Sequence, residues 1–422
     1  MNFNCVISKE LTADVVVIGG GTAGVFAAIS AARSGSKTIL IEKNSMLGGT
    51  MTAAGVNYPG LFFAWGRQII SGPCWESIER TVALGGADLP SISFRPKCHW
   101  HEQIKLNPFV YTTVLFQMCE ETGVHIICNA MISYTSEEQN SVSVIVTTKD
   151  GMVAINASVA IDATGDATLC QLAGFDMLKS PTQQPATLLN HISGYIAEEK
   201  IFERVKSGFD PAKLPSHITA EDLIRYLKKN KIDMHIPCVD ADTSGGRTQL
   251  EKNALYEIMK VVCFLRKTEG LENLTVDAVA HETGVRETKR IVGKHIITAE
   301  EYINGYVYPD SVCYAFYPID LHVERGIEQR FHEENVVSKI PYRALIPKNS
   351  RRILCAGRCV SSDTYANSAL RVEAVCMAMG QVAGSAASVM RKESADAADI
   401  TYQGLCDALR SIGAIVPNEL SF

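Results

Sequence analysis

The pattern of apolar and small residues near the N-terminus predicts a strand, a tight turn and a helix. Residues 14–24 read DVVVIGGGTAG, and the small-residue run VFAAISAARSG follows. The apolar residues predict a buried strand over Asp14–Ile18, and the small residues predict a helix from about Ala23 to Ser34, which Gly35 ends. The next apolar stretch, KTILIEK, predicts a second strand. The chain therefore begins with a β–turn–α–β unit.

Later segments extend this pattern. Residues 106–130 predict a helix, a stop at Gly123 and a strand. Residues 141–165 alternate apolar and polar positions around a KDG turn, which is typical of a hairpin, and end in an apolar strand. Residues 351–357, RRILCAG, predict another buried strand, and residues 371–391 predict a helix rich in Ala, Gly and Met. Residues 176–340 differ in character, with amphipathic helices and mixed loops, so the predicted α/β fold is discontinuous.

The glycines after the first strand have the spacing of a dinucleotide-binding turn. Gly19, Gly21 and Gly24 fit G-x-G-x-x-G, in which glycines allow the tight turn, the approach of a pyrophosphate and close helix–strand packing. Glu42 ends the second strand, 18 residues beyond Gly24, where a carboxylate accepts hydrogen bonds from a ribose. The segment after it, with Gly48-Gly49, would lie along the pyrophosphate and reach a flavin ring.

Composition and charge narrow the function. The 422 residues suffice for about two domains of ~150–200 residues each. Hydrophobic residues make up 46 % and charged residues 20 %, with a formal net charge of −6, which argues against nucleic acid as a partner. A basic–apolar leader and an uncharged apolar run of ~18 residues are both missing from the sequence, so we expect a cytoplasmic protein without a membrane partner.

The 13 cysteines are scattered and form no C-x-x-C, which fits reduced thiols. Cys355 and Cys359 flank AGR, so a redox-active pair is an alternative to two core thiols. The stretch CHWH at residues 98–101 has the ligand types of a zinc site, but no second cluster accompanies it, and we expect no metal site.

The chain resembles the FAD-dependent oxidoreductases of the glutathione-reductase-like superfamily, which are related to the succinate dehydrogenase and fumarate reductase flavoproteins. The resemblance covers nearly the whole chain, and its motifs occur in the order the family shows. They are VVVIGGGTAGVFAAISAARSGSKTILIEK, LGGTMTAAG, AIDATGDATLCQLAG, RETKRIVGKHIITAEE, YPIDLH, IPYRALIP, ILCAGRCVSSD and ALRVEAVCMAMGQVAGSAA.

The resemblance implies an α/β fold: a Rossmann-like FAD-binding domain of three layers (ββα) with an inserted α+β substrate domain. The FAD-binding domain would comprise residues 1–57, 106–175 and 341–422. The substrate or cap domain would comprise residues 58–105 and 176–340.

The resemblance also implies the FAD contacts. Glu42 would hold the adenosine ribose, Lys43 would flank the adenine, and the final helix would point its N-terminus at the flavin pyrimidine, where it stabilises negative charge. The segment at residues 48–57 contains no His, so we expect non-covalent FAD. The full set of expected contacts is Gly19, Gly21, Thr22, Ala23, Gly24, Glu42, Lys43, Gly48, Gly49, Thr50, Met51, Ala130, Ala163, Thr164, Gly165, Asp166, Gly357, Arg358, Arg371, Val372 and Ala374.

Two arginines in GVRETKRIVG are candidates for substrate binding. Arg286 and Arg290 are four residues apart and would share one face if the segment were helical. Two guanidiniums there would clamp a carboxylate. The alternative is a surface or interface ion pair with Glu282 or Glu287.

A second candidate is YPIDLH, in which Asp320 and His322 lie two residues apart and would face one side of a strand. The carboxylate would raise the pKa of the imidazole and orient it for proton transfer. The alternative is a structural pair. His191 would point into the same cavity, or be a satisfied core histidine.

The function expected from these features is transfer of a hydride between a small organic substrate and flavin N5, as in a dehydrogenase or reductase. One alternative is a flavin monooxygenase that uses NAD(P)H and oxygen, and another is a flavin-bearing module of a larger complex. The Ala/Met-rich final helix would pack inside the chain or across a dimer, so a homo-oligomer is also an expectation.

Overall fold

The computed structural model describes residues 6–90, 102–323, 326–417 and 420. Their strands are β1 (Ile7–Ile18), β2 (Thr38–Glu42), β3 (Phe63–Ala64), β4 (Arg67–Gln68), β5 (His125–Cys128), β6 (Met131–Glu137), β7 (Val142–Thr148), β8 (Gly151–Asp162), β9 (Met177–Lys179), β10 (Asn190–Ser193), β11 (Thr275–Val279), β12 (Lys289–Ile291), β13 (Ser311–Ala315), β14 (Ile319–His322), β15 (Ile327–Arg330), β16 (Ser338–Pro341) and β17 (Ile353–Cys355). Their helices are α1 (Thr22–Arg33), α2 (Pro73–Ala83), α3 (Pro108–Glu121), α4 (Thr168–Leu172), α5 (Glu199–Ser207), α6 (Ala220–Lys229), α7 (Ser244–Leu265), α8 (Ala299–Ile303), α9 (Thr364–Leu370), α10 (Glu373–Glu393) and α11 (Tyr402–Ser411).

The main sheet has the parallel core expected of a Rossmann-like domain. Its strands run in the order β5–β2–β1–β8, all parallel, and β17 adds to the end of β8 in the same direction. β17 pairs only with the last part of β8, and the first part of β8 pairs with β7 on that edge. β7 in turn pairs with β6, and both of these pairings are antiparallel. The fold is therefore mixed α/β, as the sequence predicted.

Alternation along the central strands divides their side chains between two faces. Val15 and Val17 belong to the hydrophobic cluster around α1 and α10. Val16 and Ile18 belong to a second cluster with the antiparallel strands, including Val144 of β7. Helices, parallel sheet and antiparallel strands are therefore successive layers, because each central strand buries both of its faces.

Glycines in α10 explain why α1 and α10 pack so closely. A Cβ atom at Gly380 would lie 2.1 Å from the carbonyl oxygen of Ala23, and one at Gly384 would lie 2.1 Å from that of Ala27. Larger residues at these positions would force the helices apart. The Ala- and Gly-rich pattern of α10 thus fits packing inside the chain.

A separate hydrophobic cluster forms the core of the region that is inserted between the parts of the FAD-binding domain. It runs from Ala186 to Val285 and is built around α5, α6 and α7. Residues of the predicted cap outside this range, such as Phe62, Ile78 and Tyr314, instead belong to the cluster around α1 and α10. The core of the inserted region is therefore narrower than the predicted cap of residues 58–105 and 176–340.

Within the described part of the chain, no single helix has the length and apolar composition to cross a membrane. The pair α9 and α10, which meet at 88°, satisfies that criterion only when both helices are taken together.

Candidate active site

The glycine turn between β1 and α1 is built from backbone contacts that leave no room for side chains. Gly19 has φ +103°, and a Cβ atom there would lie 2.5 Å from the carbonyl oxygen of Ala163. A Cβ atom at Gly24 would lie 1.7 Å from the carbonyl oxygen of Gly19. These two positions therefore require glycine, for the reasons given for the G-x-G-x-x-G motif.

The start of α1 is open to an anion. Its N-cap residue is Gly21, which has no side chain to satisfy the first amide groups, and no acidic residue lies in the first turn of Thr22, Ala23 and Gly24. Uncapped N–H groups and the helix dipole together favour a phosphate group. Gly21 also forms a β-bridge with Gly48, and the short helical turn Gly49–Met51, which includes Thr50, follows directly.

Glu42 lies at the end of β2 and supports the glycine turn. Its carboxylate accepts the N–H of Gly20 at 2.6 Å and that of Asn44 at 2.7 Å. Burial raises its pKa, and the two N–H groups oppose that rise. Each oxygen retains a second lone pair, which suits a ribose hydroxyl.

The neighbours of Glu42 link the turn to other segments. The N–H of Ala130, a buried residue, donates to the main-chain oxygen of Glu42 at 3.0 Å. Lys43 forms an ion pair with Glu282 of the segment after β11, and Glu282 also lies 3.5 Å from Arg247. The inserted region therefore reaches the end of the turn where adenosine is expected.

A third group of expected FAD contacts forms a compact turn after β8. The buried Asp162 carboxylate accepts the N–H of Thr164 at 3.0 Å. Arg358 donates to the main-chain oxygen of Gly165 at 2.8 Å and to the Asp166 carboxylate at 2.6 Å. Arg358 follows Gly357, which has φ +97° and comes just after β17. The hydrogen bonds from Arg358 to Gly165 and Asp166 therefore hold the turn that begins at Ala163.

Arg371 lies at the sharp bend between α9 and α10. Its Nη2 donates to the main-chain oxygen of Asp320 at 3.2 Å and to the side-chain oxygen of Gln184 at 3.4 Å. Its buried Nε has no hydrogen-bond partner among the described residues. An unpaired buried guanidinium nitrogen calls for an acceptor, such as an oxygen of a bound ligand.

The N-terminus of α10 carries the other residues expected at the flavin. Val372 is its N-cap, and the N–H of Ala374 donates to the main-chain oxygen of Pro59 at 2.7 Å. Glu373 in the first turn is partly buried, and its pKa is raised to about 7 by desolvation, against the effect of Arg371 and Arg286. This end of the helix thus combines two cations with a carboxyl group that titrates near neutral pH.

Arg286 lies close enough to Arg371 and Glu373, at the N-terminus of α10, to interact with their charges. Among the described residues, Arg286 donates hydrogen bonds through its Nη1 alone, to the main-chain oxygen of Pro185 at 2.6 Å and to the hydroxyl of Thr187 at 3.1 Å. Burial and the charge of Arg371 lower its pKa to about 9, while Asp320 acts in the opposite direction. Two desolvated guanidiniums that repel each other would be stabilised by an anion between them.

Arg290 does not share this place, so the prediction of two arginines on one helix face is wrong. The segment is not a helix, because Lys289–Ile291 pairs with β9 in extended conformation. The Arg290 side chain is 4 % exposed and contacts Glu287 at 2.7 Å, and its Nε donates to the main-chain oxygen of Ser362 at 3.0 Å. The alternative of an ion pair with Glu287 is confirmed for Arg290, although the pair is buried.

Asp320 and His322 meet as the strand spacing predicted. Asp320 Oδ2 lies 3.1 Å from His322 Nε2 on β14. The pKa of Asp320 is lowered to about 2, chiefly by the hydrogen bond and charge of His322 against an opposing burial effect. The expected rise in the pKa of His322 is wrong: burial, Arg286 and Arg371 outweigh Asp320 and lower it to about 4.

His191 lies elsewhere, and both interpretations made of it are wrong. It is exposed on β10, and its Nδ1 lies 2.9 Å from Asp277 of the adjacent strand β11. It is therefore neither a member of the cavity that contains His322 nor a core histidine. Its strand has one solvated face, which a short apolar pattern does not reveal.

Sequence reasoning missed two members of the cluster. His235, between α6 and α7, has its Nε2 3.0 Å from His322 Nδ1. Gln184, after β9, accepts the N–H of His322 at 3.1 Å. Both come from irregular segments without a motif, so no local signal marks them.

Two further candidates from the sequence concern redox and metal chemistry. Cys355 and Cys359 are buried free thiols whose Sγ atoms lie 3.2 Å apart, and their thiol pKa values are raised well above the ordinary range, with burial a main cause for each. The possible zinc ligands at residues 98–101 lie outside the described residues. Within the described ranges, no group of three or more His, Cys, Asp or Glu could hold a metal ion.

Comparison with known proteins identifies the family of the chain. A family model described as FAD dependent oxidoreductase matches residues 14–409. A segment of 48 residues is 58 % identical to mitochondrial dihydrolipoyl dehydrogenase from Caenorhabditis elegans, and covers 11 % of this chain and 10 % of that protein. A segment of the same length is 56 % identical to fumarate reductase (cytochrome) from Shewanella frigidimarina, over 11 % of this chain and 8 % of that protein. The chain thus matches only about a tenth of these curated relatives.

Solved structures with a similar arrangement cover most of the chain. A geranylgeranyl bacteriochlorophyll reductase-like protein from Thermoplasma acidophilum has a TM-score of 0.48 and 14 % identity, over 96 % of this chain and 83 % of that chain. An anhydrotetracycline hydroxylase from Streptomyces rimosus has a TM-score of 0.46 and 12 % identity, over 94 % of this chain and 64 % of that chain.

Proposed function

The chain belongs to the FAD-dependent oxidoreductases, and we propose that within this family it transfers a hydride between flavin N5 and a small organic anion. The substrate would carry a carboxylate or a group of similar charge. This is chemistry of the dehydrogenase or reductase type.

The residues of the turn regions suit FAD. The uncapped start of α1 at Gly21 would hold the pyrophosphate, and Glu42 would accept the ribose hydroxyls. The N-terminus of α10 and the unpaired Nε of Arg371 would face the flavin. When bound, FAD supplies the hydride acceptor or donor, and the protein supplies orientation and charge.

The observation that carries the proposal is the pair of guanidiniums beside one ionised carboxylate. Arg286, with a pKa of about 9, is cationic at neutral pH, and the guanidinium of Arg371 lies near it. Asp320 is anionic, and Glu373 is only partly ionised, since its pKa is about 7. The local balance of charge is therefore positive. Arginines recognise carboxylates through paired hydrogen bonds, so a carboxylate substrate matches this site.

The experiment is anaerobic mixing of the FAD-loaded protein with small hydroxy acids, amino acids and saturated carboxylic acids, followed by absorption. We expect bleaching of the flavin by members of this panel and none by the corresponding neutral alcohols and amides. Bleaching by NAD(P)H, followed by a long-lived oxygen adduct on aeration, would instead identify a monooxygenase.

A second measurement addresses how FAD is held. After denaturation and precipitation, non-covalent FAD appears in the supernatant as a flavin spectrum. Colour that remains in the pellet would contradict our expectation for residues 48–57.

A further inference from the structure

Helix α9 carries a buried amide side chain with one hydrogen-bonding atom left over. Asn367 is 0 % exposed, and its Nδ2 donates to the main-chain oxygen of Arg358 at 2.8 Å. Its Oδ1 is also buried and has no hydrogen-bond partner among the described residues. The orientation of the amide is determined, because the carbonyl oxygen of Arg358 only accepts and therefore requires the NH2 group. The atom without a partner is thus an acceptor.

One helical turn later, the end of α9 carries a donor without a partner. The N–H of Arg371, the C-cap residue of α9, donates to the main-chain oxygen of Asn367 at 2.9 Å, so the two residues lie on the same side of the helix. The Nη2 of Arg371 is held by Asp320 and Gln184, whereas its buried Nε is unpaired in the described part of the chain. Buried polar atoms are almost always hydrogen-bonded. An unpaired acceptor and an unpaired donor one turn apart therefore call for a ligand that supplies both partners.

The pyrimidine edge of a flavin presents this combination, since its N3–H donor lies between two carbonyl oxygens. We propose that Asn367 Oδ1 accepts the N3–H of the flavin and that Arg371 Nε donates to a carbonyl oxygen beside it. Arg371 directly precedes Val372, the N-cap of α10, where the flavin pyrimidine is expected. The proposal therefore depends on the position given above for the flavin, but not on the identity of the substrate.

Other parts of FAD match these two atoms less well. Phosphate oxygens only accept at neutral pH, so they offer no proton to Asn367 Oδ1. The adenosine ribose is expected at Glu42, at the end of β2. The ribityl hydroxyls do carry protons, so the experiment has to distinguish them from N3.

The contact would give Arg371 two partners at once. Its Nε would bond the flavin, while the charge of the same guanidinium acts on Arg286 across the anion site. A hydrogen-bonded pyrimidine edge fixes the rotation of the ring in its own plane, and with it the position of N5 relative to the anion. Asn367 would thus position the cofactor for the substrate without touching the substrate.

The test compares the binding of FAD with that of 3-methyl-FAD, in which a methyl group replaces the N3 proton, to protein from which FAD has been removed. Flavin fluorescence gives both dissociation constants. We expect the unchanged protein to bind 3-methyl-FAD at least about tenfold more weakly, because one buried hydrogen bond is lost and the methyl group meets Oδ1. In Asn367→Ala this preference should disappear, because the variant has no acceptor and leaves room for the methyl group.

Two controls separate this contact from a structural effect. Asn190→Ala removes another amide, which bonds the main-chain oxygens of Leu188 and Ile232 in the inserted region, and it should retain the preference for FAD. An FAD that lacks the ribityl 2′-hydroxyl should bind more weakly by the same factor in Asn367→Ala as in the unchanged protein. A smaller factor in the variant would assign Asn367 to the ribityl chain and overturn the proposal.

A further measurement needs no substitution. With FAD labelled with 15N at N3, the N3–H of the bound flavin should give a 1H–15N signal that is protected from exchange with water. Rapid exchange of this proton would overturn the proposal, even if Asn367→Ala failed to fold.

Equal binding of FAD and 3-methyl-FAD by the unchanged protein would contradict the contact directly. A preference that persists in Asn367→Ala would also contradict it, because Asn367 would then act only as a structural partner of Arg358. No substrate is present in these experiments, so their results do not depend on whether the enzyme acts on a carboxylate.

Discussion

Arg286 and Arg290 lie four residues apart but occupy opposite environments. Nε, Nη1 and Nη2 of Arg290 all bond protein atoms, on Ser362, Glu287 and Ser180 respectively. Arg286 bonds the protein through Nη1 alone among the described residues and is repelled by Arg371. A charge that the protein already satisfies stabilises the fold, and a charge left only partly satisfied is available to a ligand.

Removal of the satisfied charge should have the largest effect on stability. Arg290→Met leaves the Glu287 carboxylate fully buried without its cation. We expect a loss of about 3–5 kcal/mol in the free energy of unfolding, which urea denaturation measures. The double variant Arg290→Met, Glu287→Leu should recover most of it. If the single variant lost less than about 1 kcal/mol, the assignment of Arg290 to the fold would be wrong.

Removal of the unsatisfied charge should cost less. Arg286→Met deprives the Pro185 oxygen and the Thr187 hydroxyl of a donor but relieves the repulsion from Arg371. We expect a change of about 1 kcal/mol or less in the free energy of unfolding. A loss as large as that of Arg290→Met would remove the contrast between the two arginines.

The buried histidines should make stability depend on pH. The pKa of His322 and that of His332 are both lowered from 6.5 to about 4, with burial as the main cause. The unfolded chain therefore binds more protons between these values, and stability is lost as the pH falls from about 6.5 to about 4. Each histidine contributes a slope of at most about 1.4 kcal/mol per pH unit.

The variant His332→Phe isolates one of these contributions. Urea denaturation at several pH values should give a slope in this window that is smaller than that of the unchanged protein by at most about 1.4 kcal/mol per pH unit. Glu373, whose pKa is raised to about 7, contributes a slope of opposite sign in this window, and this contribution is the same in both proteins. An unchanged slope would mean that His332 is not neutral in the folded protein.

The smallest effect is expected at the edge of the inserted region. Lys43 pairs with Glu282, but 48 % of its side chain is exposed, and Glu282 retains Arg247 as a partner. Lys43→Ala should therefore change the free energy of unfolding by less than about 1 kcal/mol, with a smaller difference at high salt. Chemical denaturation at two salt concentrations checks this, and a larger effect would mean that the pair holds the inserted region in place.

The glycine turn could be predicted from the sequence because its contacts are largely local. Gly19 and Gly24 are close in the sequence, and the carbonyl oxygen of Gly19 leaves no room for a side chain at Gly24. The contact of Gly19 with the strand end at Ala163 is the part of the turn that is distant in the sequence. The spacing from Gly24 also predicts a ribose-binding carboxylate at Glu42, whereas the hydrogen bond between Glu42 and the N–H of Gly20 is a finding of the structure. Such a motif encodes both its conformation and its chemistry in a few residues.

The cluster that contains Arg286, Asp320 and His322 could be predicted only in part because its contacts are not local. The segment of Arg290 is extended because it pairs with β9, which lies more than a hundred residues earlier in the sequence. The spacing of two arginines within one segment gives no information about such a distant partner. His235 reaches His322 from the inserted region, between two buried residues that carry no motif. Asp320 and His322 were predicted together since they share one strand, but the fall in the pKa of His322 depends on two distant arginines.

The most direct test of the account is titration of the FAD-loaded protein with small carboxylates, followed by the change in the flavin absorption spectrum. The account predicts saturable perturbation by carboxylates, and an affinity at least about tenfold weaker in Arg286→Met, because a hydrogen bond to a charged group is lost. Neutral amides of the same shape should leave the spectrum unchanged. Equal affinity of the unchanged protein and Arg286→Met, or no perturbation by any carboxylate, would contradict an anion site at the flavin.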